Sequence, residues 1–274
     1  MNKIYLGRQK KYFSGILIDF DLTLTNSKYE ITEETEKSLQ IFFKKKIPVG
    51  LCSGKSYAVL KNIIFNYFPQ QNLHIFSNGG QIISSTGNVL WENKLDTNLF
   101  RNIISATKKE DGDFCFSVGD IFYTSGGMPK VFTDSPWSVN YECFNEKIIS
   151  TSLLSIDNAN QILSSYIKGL AKSKLVNLIE IKKKNNYSYF DISPYKITKL
   201  AGLRRWAKIL GINQKEIIAI GDGKNDNELI CGAGLGVSMG NASEELKQLS
   251  DIIIGHTDDN GLAEFLSELK IVEN

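Results

Sequence analysis

Short apolar runs that do not alternate with polar residues recur along the chain. Such runs are typical of strands that are buried on both faces of a parallel sheet. Several of these runs are followed directly by aspartate, serine or glycine. Polar side chains therefore come immediately after the predicted buried strands. The runs are residues 16–18, 47–52, 73–76, 217–220, 235–239 and 251–254.

Segments with apolar residues three or four positions apart lie between these runs and predict helices. Thr32 is a suitable N-cap, and Trp206 lies in an apolar stripe that ends before Gly211, a suitable C-terminal cap. Because strands and helices alternate, we expect an α/β fold with a Rossmann-like parallel sheet. The predicted helices are at about 32–46, 57–67, 98–108, 158–171, 200–210 and 261–269.

The pattern changes after residue 81. Thr86, Gly87 and Asn88 separate two β-rich runs and predict a hairpin. The segment up to Ile192 then has short β-rich runs and two helices, and the strand–helix alternation resumes after it. We therefore expect a discontinuous core domain of residues 1–81 and 193–274 and an inserted α+β cap domain of residues 82–192. The short β-rich runs are residues 114–118, 121–124, 148–156, 175–182 and 187–192.

Composition narrows the function classes. The chain has 274 residues, is 42% hydrophobic and carries a formal net charge of +2, so neither nucleic acid nor a membrane is expected as a partner. The first residues contain no apolar segment of the kind found in secretory signals, so we expect a cytoplasmic protein. The four cysteines are widely spaced and include no C-x-x-C pair, which favours reduced thiols. We expect a monomer or a weak homodimer.

Carboxylates follow two of the predicted strands. Asp19 and Asp21 come after the first strand, spaced so that both side chains point the same way, and Asp222 and Asp226 follow a later one. The carboxyl ends of parallel strands meet at one edge of a sheet, where ligands of α/β folds bind. Unit charges about 4 Å apart repel by roughly 4 kcal/mol at a protein-like dielectric. The cluster therefore predicts a bound divalent cation, with Mg²⁺ the commonest choice beside phosphate.

Three other interpretations apply to parts of these motifs. Paired aspartates also begin ordinary turns. A calcium loop starting at Asp19 lacks its glycine, because Leu24 stands there, and it follows a strand instead of a helix. Gly54-Lys55-Ser56 is similar to the end of a P-loop, but Val49 occupies the place of the required glycine.

Taken together, the motifs resemble those of the haloacid dehalogenase superfamily, and specifically of its Cof-like (type IIB) phosphatases with a C2 cap. Two departures stand out: Leu22 replaces the usual glycine, and Lys55 replaces the usual arginine. Lys199 matches the third-motif lysine, with Lys196 as a nearby rival. The matching segments are residues 19–25, 53–55, 78–80, Lys199 and residues 221–226.

The resemblance implies a Mg²⁺-dependent phosphomonoester hydrolase that acts on a small phosphorylated metabolite, with sugar phosphates as the default class. Asp19 would form an aspartyl-phosphate, and Asp21 would serve as general acid and base. Asp19, Asp21, Asp222 and Asp226 would hold the metal, whereas Ser53, Gly54, Lys199 and Asn225 would bind the substrate phosphate. The cap offers Tyr123, Thr124, Lys130, Tyr187 and Tyr189 as contacts to the leaving group.

Two alternatives stay open. A phosphomutase would use the same Asp19 but return the phosphoryl group to its substrate. A non-catalytic module would bind a phosphometabolite without turnover, although both aspartates of the first motif are present.

Overall fold

A computed structural model of the chain describes residues 2–7, 10–125, 138–140, 150–183 and 187–273. The strands are β1 (Lys3–Leu6), β2 (Lys11–Phe13), β3 (Gly15–Ile18), β4 (Val49–Leu51), β5 (Leu73–Phe76), β6 (Gln81–Ser84), β7 (Val89–Glu92), β8 (Asp113–Val118), β9 (Ile121–Thr124), β10 (Ser138–Asn140), β11 (Leu154–Ala159), β12 (Val176–Lys182), β13 (Ser188–Pro194), β14 (Ile217–Gly221), β15 (Leu235–Ser238), β16 (Ile252–Ile253) and β17 (Lys270–Val272). The helices are α1 (Glu33–Lys44), α2 (Tyr57–Tyr67), α3 (Thr97–Lys109), α4 (Gln161–Lys172), α5 (Lys199–Leu210), α6 (Asn227–Gly232), α7 (Glu244–Leu249) and α8 (Gly261–Glu268).

A parallel sheet in the order β16-β15-β14-β3-β4 forms the centre of the core. Ile16 of β3 pairs with Ile218 of β14 on one side and with Val49 of β4 on the other. A parallel bridge between Cys52 and Ile75 places β5 next to β4. The predicted α/β class with a parallel sheet is therefore confirmed, and the carboxyl ends of β3, β4 and β14 lie at one edge.

Both faces of this sheet are covered by helices, which is why its strands lack alternation. Ile16 and Ile18 contribute to an apolar cluster with residues of α1, α2 and α8, whereas Leu17 belongs to a second cluster with Trp206 of α5. The Trp206 indole donates a hydrogen bond to the Leu73 carbonyl at 2.8 Å. A side chain at Gly50 would collide with that carbonyl, so β4 and α5 require glycine at this position.

A second sheet is built by the predicted insert, in the order β10-β9-β8-β11-β13-β12. Its neighbours are antiparallel except for β10 and β9. Phe114 and Phe190 point to one face, where α3 and α4 complete an apolar cluster. Cys115, Tyr189 and Asp191 point to the opposite face, as the two-residue period of a strand requires. The domain boundaries at residues 82 and 192 stay a prediction.

The predicted hairpin is present as β6 and β7, with Gly87 at a φ of +87° in its turn. Thr32 caps α1 by accepting a hydrogen bond from the Thr35 N–H, and Gly211 ends α5 at a φ of +66°. The strand predicted at 148–156 is found at Leu154–Ala159, and residues 148 and 149 lie outside the described residues.

The chain ends form an unpredicted sheet. β1 pairs antiparallel with β2 on one side and with the C-terminal β17 on the other. Lys3 and Ser14 both bind the Glu216 carboxylate, which fixes this small sheet beside β14. Within the described residues, no helix is long and apolar enough to cross a membrane.

Candidate active site

Asp19 lies directly after β3, where its N–H still donates to the Ile220 carbonyl of β14 at 2.9 Å. The chain then leaves the sheet in a tight turn over residues 20–24, and Leu22 takes a φ of +53° in this turn. A side chain in this left-handed conformation costs roughly 1–2 kcal/mol relative to glycine, so Leu22 is a strained position of the turn. The turn places Asp19 and Asp21 on the same cleft.

Lys199 provides a buried cation between two carboxylates. It begins α5, after the N-cap Thr198, and its Nζ lies 2.5 Å from Oδ1 of Asp19 and 2.7 Å from Oδ1 of Asp226. Burial lowers the pKa of Lys199, but the charges of Asp19 and Asp226 outweigh burial and raise that pKa above its usual value. Lys196 is different: it has a φ of +66°, and its Nζ lies over the Tyr195 ring.

Asp222 and Asp226 follow β14. Oδ2 of Asp226 accepts hydrogen bonds from the N–H groups of Gly223 at 3.0 Å and Asp222 at 3.3 Å, while Oδ1 faces Lys199. Asp222 is held by Thr23, whose hydroxyl donates to Oδ1 at 3.2 Å. Gly221 must lack a side chain because a Cβ there would lie 2.5 Å from the Asp226 carboxyl carbon.

Asp19, Asp222 and Asp226 can hold a metal ion, since one carboxylate oxygen from each lies within 4.8 Å of the others. Burial raises the pKa of Asp19 to about 7, and burial together with the Asp19 charge raises that of Asp222 to about 6. The pKa values of these two carboxyl groups are thus raised even though the Lys199 ammonium lies beside Asp19 and lowers both. Carboxylate oxygens are the ligands that Mg²⁺ prefers, so the residues fit this cation. Asp226 supports the site mainly through Lys199, because protein groups already bind both of its oxygens.

Asp21 is held by an ion pair with Lys55, which follows β4. The Lys55 ammonium also lies 5.0 Å from the centre of the Phe20 ring and 5.8 Å from that of Tyr29. The residue that replaces the usual arginine therefore fixes the second aspartate of the first motif and lines the cleft beside it.

The remaining predicted phosphate-binding residues follow β4 and β14. Ser53 is fully buried, and its Oγ accepts a hydrogen bond from the Lys55 N–H at 3.0 Å. Gly54 and Asn225 line the cleft. Asn225 is oriented by Asn78, whose Oδ1 accepts from the Asn225 side-chain amide at 3.1 Å.

A cleft of about 530 Å³ extends from these strand ends to the second sheet. Among the predicted cap contacts, Tyr189 lines the cleft. Tyr123 and Thr124 are buried, and Tyr123 stacks on Phe116 in the apolar cluster of the insert. Tyr187 is exposed and does not line the cleft, and Lys130 lies outside the described residues.

Sequence reasoning missed Asn241. Its side-chain amide donates to the Leu22 carbonyl at 2.9 Å and to Oδ2 of Asp222 at 3.4 Å. It therefore joins the turn after β3 to the turn after β14. A signal was present, because Asn241 closely follows β15, a strand of the same parallel sheet. Asn78 was noted only as part of a turn, and its bond to Asn225 required the fold.

Comparisons with known proteins agree with this geometry. A family model of haloacid dehalogenase-like hydrolases matches residues 16–266. Phosphatase YwpJ of Bacillus subtilis is 25% identical over 93% of this chain and 99% of its own length. A haloacid dehalogenase-like hydrolase from Bacteroides thetaiotaomicron superposes with a TM-score of 0.80 at 24% identity, covering 93% of this chain and 98% of that one. A sugar phosphatase of haloacid dehalogenase subclass IIB has a TM-score of 0.74 at 17% identity, over 93% of this chain and 98% of its own.

The family match spans most of the chain and includes every strand end described above. It confirms the resemblance drawn from the sequence motifs. The chain belongs to the haloacid dehalogenase-like hydrolases and is an enzyme of their Cof-like phosphatase type.

Proposed function

We propose that this enzyme is a Mg²⁺-dependent phosphomonoester hydrolase that acts on a small sugar phosphate through an aspartyl-phosphate intermediate. The observation that carries the proposal is the buried Lys199 ammonium between Asp19 and Asp226, at 2.5 and 2.7 Å. It holds one oxygen of Asp19 and offers a fixed positive charge beside the cleft. Such a preorganised charge stabilises the negative charge of a transferring phosphoryl group.

The first half-reaction follows from the two aspartates. A carboxylate oxygen of Asp19 attacks phosphorus, and the bond between phosphorus and the leaving oxygen breaks. Acting as the general acid, Asp21 donates a proton to that oxygen, so the product leaves as an alcohol. Lys55 keeps the Asp21 carboxyl group in place beside the cleft.

The second half-reaction reverses the role of Asp21. Its carboxylate takes a proton from a water molecule, and the water oxygen attacks phosphorus. The bond between phosphorus and Asp19 breaks, which releases inorganic phosphate and restores both aspartates. Ser53, Gly54 and Asn225 are the proposed partners of the phosphoryl oxygens, with Asn78 positioning Asn225.

The side chains of Asp19 and Asp222 and the backbone carbonyl of Asp21 would hold the Mg²⁺ ion, with Asp226 in support. When bound, the ion neutralises charge on the phosphoryl oxygens and on the carboxylates. The sugar-phosphate class is supported by the subclass IIB sugar phosphatase with the same fold. Cys52, Cys115 and Cys231 are free thiols, which fits the cytoplasm as the proposed compartment.

The experiment measures phosphate release from acetyl phosphate and a panel of sugar phosphates, with Mg²⁺ and with excess chelator. Wild type should turn over, Asp19→Asn should not, and the surface variant Asp258→Asn should match wild type. Rapid quenching and mass spectrometry should find a phosphoryl group on Asp19. Transfer to an added sugar phosphate in preference to water would indicate a phosphomutase. Binding without turnover would indicate a non-catalytic module.

A further inference from the structure

The end of the cleft that lies away from the metal site is formed by the second sheet. β8, β11 and β13 contribute polar side chains there, whereas Val59, Phe122 and Ile181 contribute apolar surface. A leaving group bound at Asp19 would extend toward this wall. The chemistry of the wall should therefore decide which phosphoester is accepted.

Asp191 is the negative group on this wall. Its Oδ1 accepts hydrogen bonds from the Ser155 hydroxyl at 2.6 Å and from the Tyr189 hydroxyl at 2.9 Å. Both donors are neutral, and within the described residues no donor reaches its second oxygen. Burial raises the pKa of Asp191, and the bonds from Ser155 and Tyr189 partly offset that effect.

Lys183 lines the same cleft as Asp191, but its ammonium forms an ion pair with Asp157, a buried carboxylate. Among the described residues, Asp191 forms no ion pair. A carboxylate with neutral partners and a free oxygen is suited to accept hydrogen bonds from a ligand.

Ser56 offers a second polar group on the core side of the same cleft. Its side chain is only 5% exposed, and its buried Oγ has no hydrogen-bond partner in the part of the chain that the structure describes. It occupies the N-cap position of α2 but does not cap that helix. Buried hydroxyl groups are nearly always hydrogen-bonded, so an unpartnered one that lines a cleft indicates a missing ligand.

We propose that Asp191 and Ser56 form a leaving-group subsite that selects phosphoesters carrying hydroxyl or amino groups and no second negative charge. This inference rests on the proposed function, because the phosphate must occupy the strand ends. Hydroxyl or ammonium hydrogens of the leaving group bind the free oxygen of Asp191, and a further hydroxyl binds Ser56. An acid or a bisphosphate is rejected, since its charge would face a carboxylate that has no counter-ion among the described residues.

The test compares three substrates of similar size: glucose 6-phosphate, glucosamine 6-phosphate and 6-phosphogluconate, which carries an extra carboxylate. Acetyl phosphate, which lacks a distal part, is the reference for each enzyme. Wild type should show a kcat/KM for the first two that is at least about 10-fold above that for 6-phosphogluconate. Since this comparison needs no variant, it does not depend on how a mutant folds.

Asp191→Asn should reduce kcat/KM for the glucose and glucosamine esters, relative to acetyl phosphate, by about 10-fold or more, and should bring the three esters within about 3-fold of one another. Ser56→Ala should reduce the ratio for the two sugar esters by about 2- to 10-fold. The control is Glu180→Gln, since Glu180 is in the same sheet but binds Lys168 and Ser188. This control should keep the wild-type ratios.

Equal rates for the three esters in wild type, a preference for 6-phosphogluconate, or an Asp191→Asn variant with unchanged ratios would overturn the inference. In each of these cases acetyl phosphate hydrolysis would still support the proposed function. Absence of acetyl phosphate hydrolysis with Mg²⁺ would contradict the proposed function and the subsite together.

Discussion

The Nζ of Lys199 lies 2.5 Å from Oδ1 of Asp19, although 180 positions separate the two residues in the chain. Both are buried, so neither charge is stabilised by water. The charges of Lys199 and Asp19 stabilise each other, and the Asp226 carboxylate also forms an ion pair with Lys199. The ion pair at the end of β3 should therefore matter for the stability of the fold and for catalysis.

Removing Lys199 should therefore impair folding and activity together. Lys199→Met leaves two buried carboxylates without their cation, which should cost roughly 3–5 kcal/mol in the free energy of unfolding. We expect kcat/KM to fall by at least about 100-fold, because the fixed charge at the phosphoryl site is lost. Denaturant unfolding and phosphate release measure the two effects. The matched control, Lys196→Met, should resemble wild type, and an equal effect at Lys196 would contradict the assignment.

Metal binding should stabilise the fold as well as support turnover. A bound Mg²⁺ ion would offset the burial and the neighbouring negative charges that raise the pKa values of Asp19 and Asp222. At a concentration 100 times its Kd, the cation should add about 2.7 kcal/mol to the free energy of unfolding. Thermal melting with chelator and then with added Mg²⁺ should show a rise in Tm for wild type. The rise should be much smaller for Asp222→Asn and unchanged for Asp251→Asn. An equal rise in all three proteins would argue against a metal site at Asp222.

Because Lys55 forms an ion pair with Asp21, we expect the effect of a Lys55 substitution on kcat to depend on the leaving group. Lys55→Met releases the Asp21 carboxyl, so protonation of the leaving oxygen should become less efficient. Sugar phosphates need this proton, whereas p-nitrophenolate leaves readily without it. We expect the kcat for a sugar phosphate to fall at least about 10-fold more than the kcat for p-nitrophenyl phosphate. Single-turnover kinetics would isolate this step from dephosphorylation, and equal losses for both substrates would refute the role of Lys55.

His74 should make the fold sensitive to acid. Its Nδ1 accepts a hydrogen bond from the Leu51 N–H at 3.1 Å, so the buried ring is neutral, and burial lowers its pKa to about 3. The unfolded chain binds a proton on this histidine below about pH 6.5, whereas the folded chain does so only near pH 3. Stability should consequently fall as the pH drops through this window, by about 2 kcal/mol at pH 5.

Urea unfolding at pH 7 and pH 5 measures this loss. His74→Gln removes the titrating ring, so the difference in stability between the two pH values should shrink by about 2 kcal/mol relative to wild type. The comparison variant is His256→Gln, which removes an exposed histidine instead of a buried one. An unchanged pH dependence in His74→Gln would contradict the prediction.

Local patterns predicted the elements that carry the site. The short, largely apolar runs identified β3, β4, β5, β14 and β15, because strands buried on both faces are mostly apolar. Carboxylates at the ends of β3 and β14 then located the site without knowledge of the pairing. The helix caps at Thr32 and Gly211 were also predicted correctly, since a cap depends only on residues that are close in the chain.

Features that depend on distant contacts were not predictable. The sheet of β1, β2 and β17 joins the two ends of the chain, and short mixed strands such as Lys11–Phe13 carry little periodicity. Tyr123 is a predicted cap contact, but its side chain lies in the apolar cluster of the insert. The register between β8 and β9 decides which face of the sheet it occupies, and the sequence does not reveal that register. Asn241 acquires its role from Leu22, 219 positions away, and Ser56 acquires its role from a cleft that several distant segments form together.

The pairing of β3 with β14 has a consequence for synthesis of the protein on the ribosome. Ile16 emerges about 200 residues before its partner Ile218, which at 5–20 residues per second is a delay of roughly 10–40 s. During that time β3 presents an unpaired apolar edge, and Asp19 has no lysine beside it. The sheet of the insert is complete earlier, because its strands lie closer together in the chain. Nascent chains that end after Pro194 but before Ile217 have the complete sheet of the insert and lack β14, so these chains should depend most on chaperones.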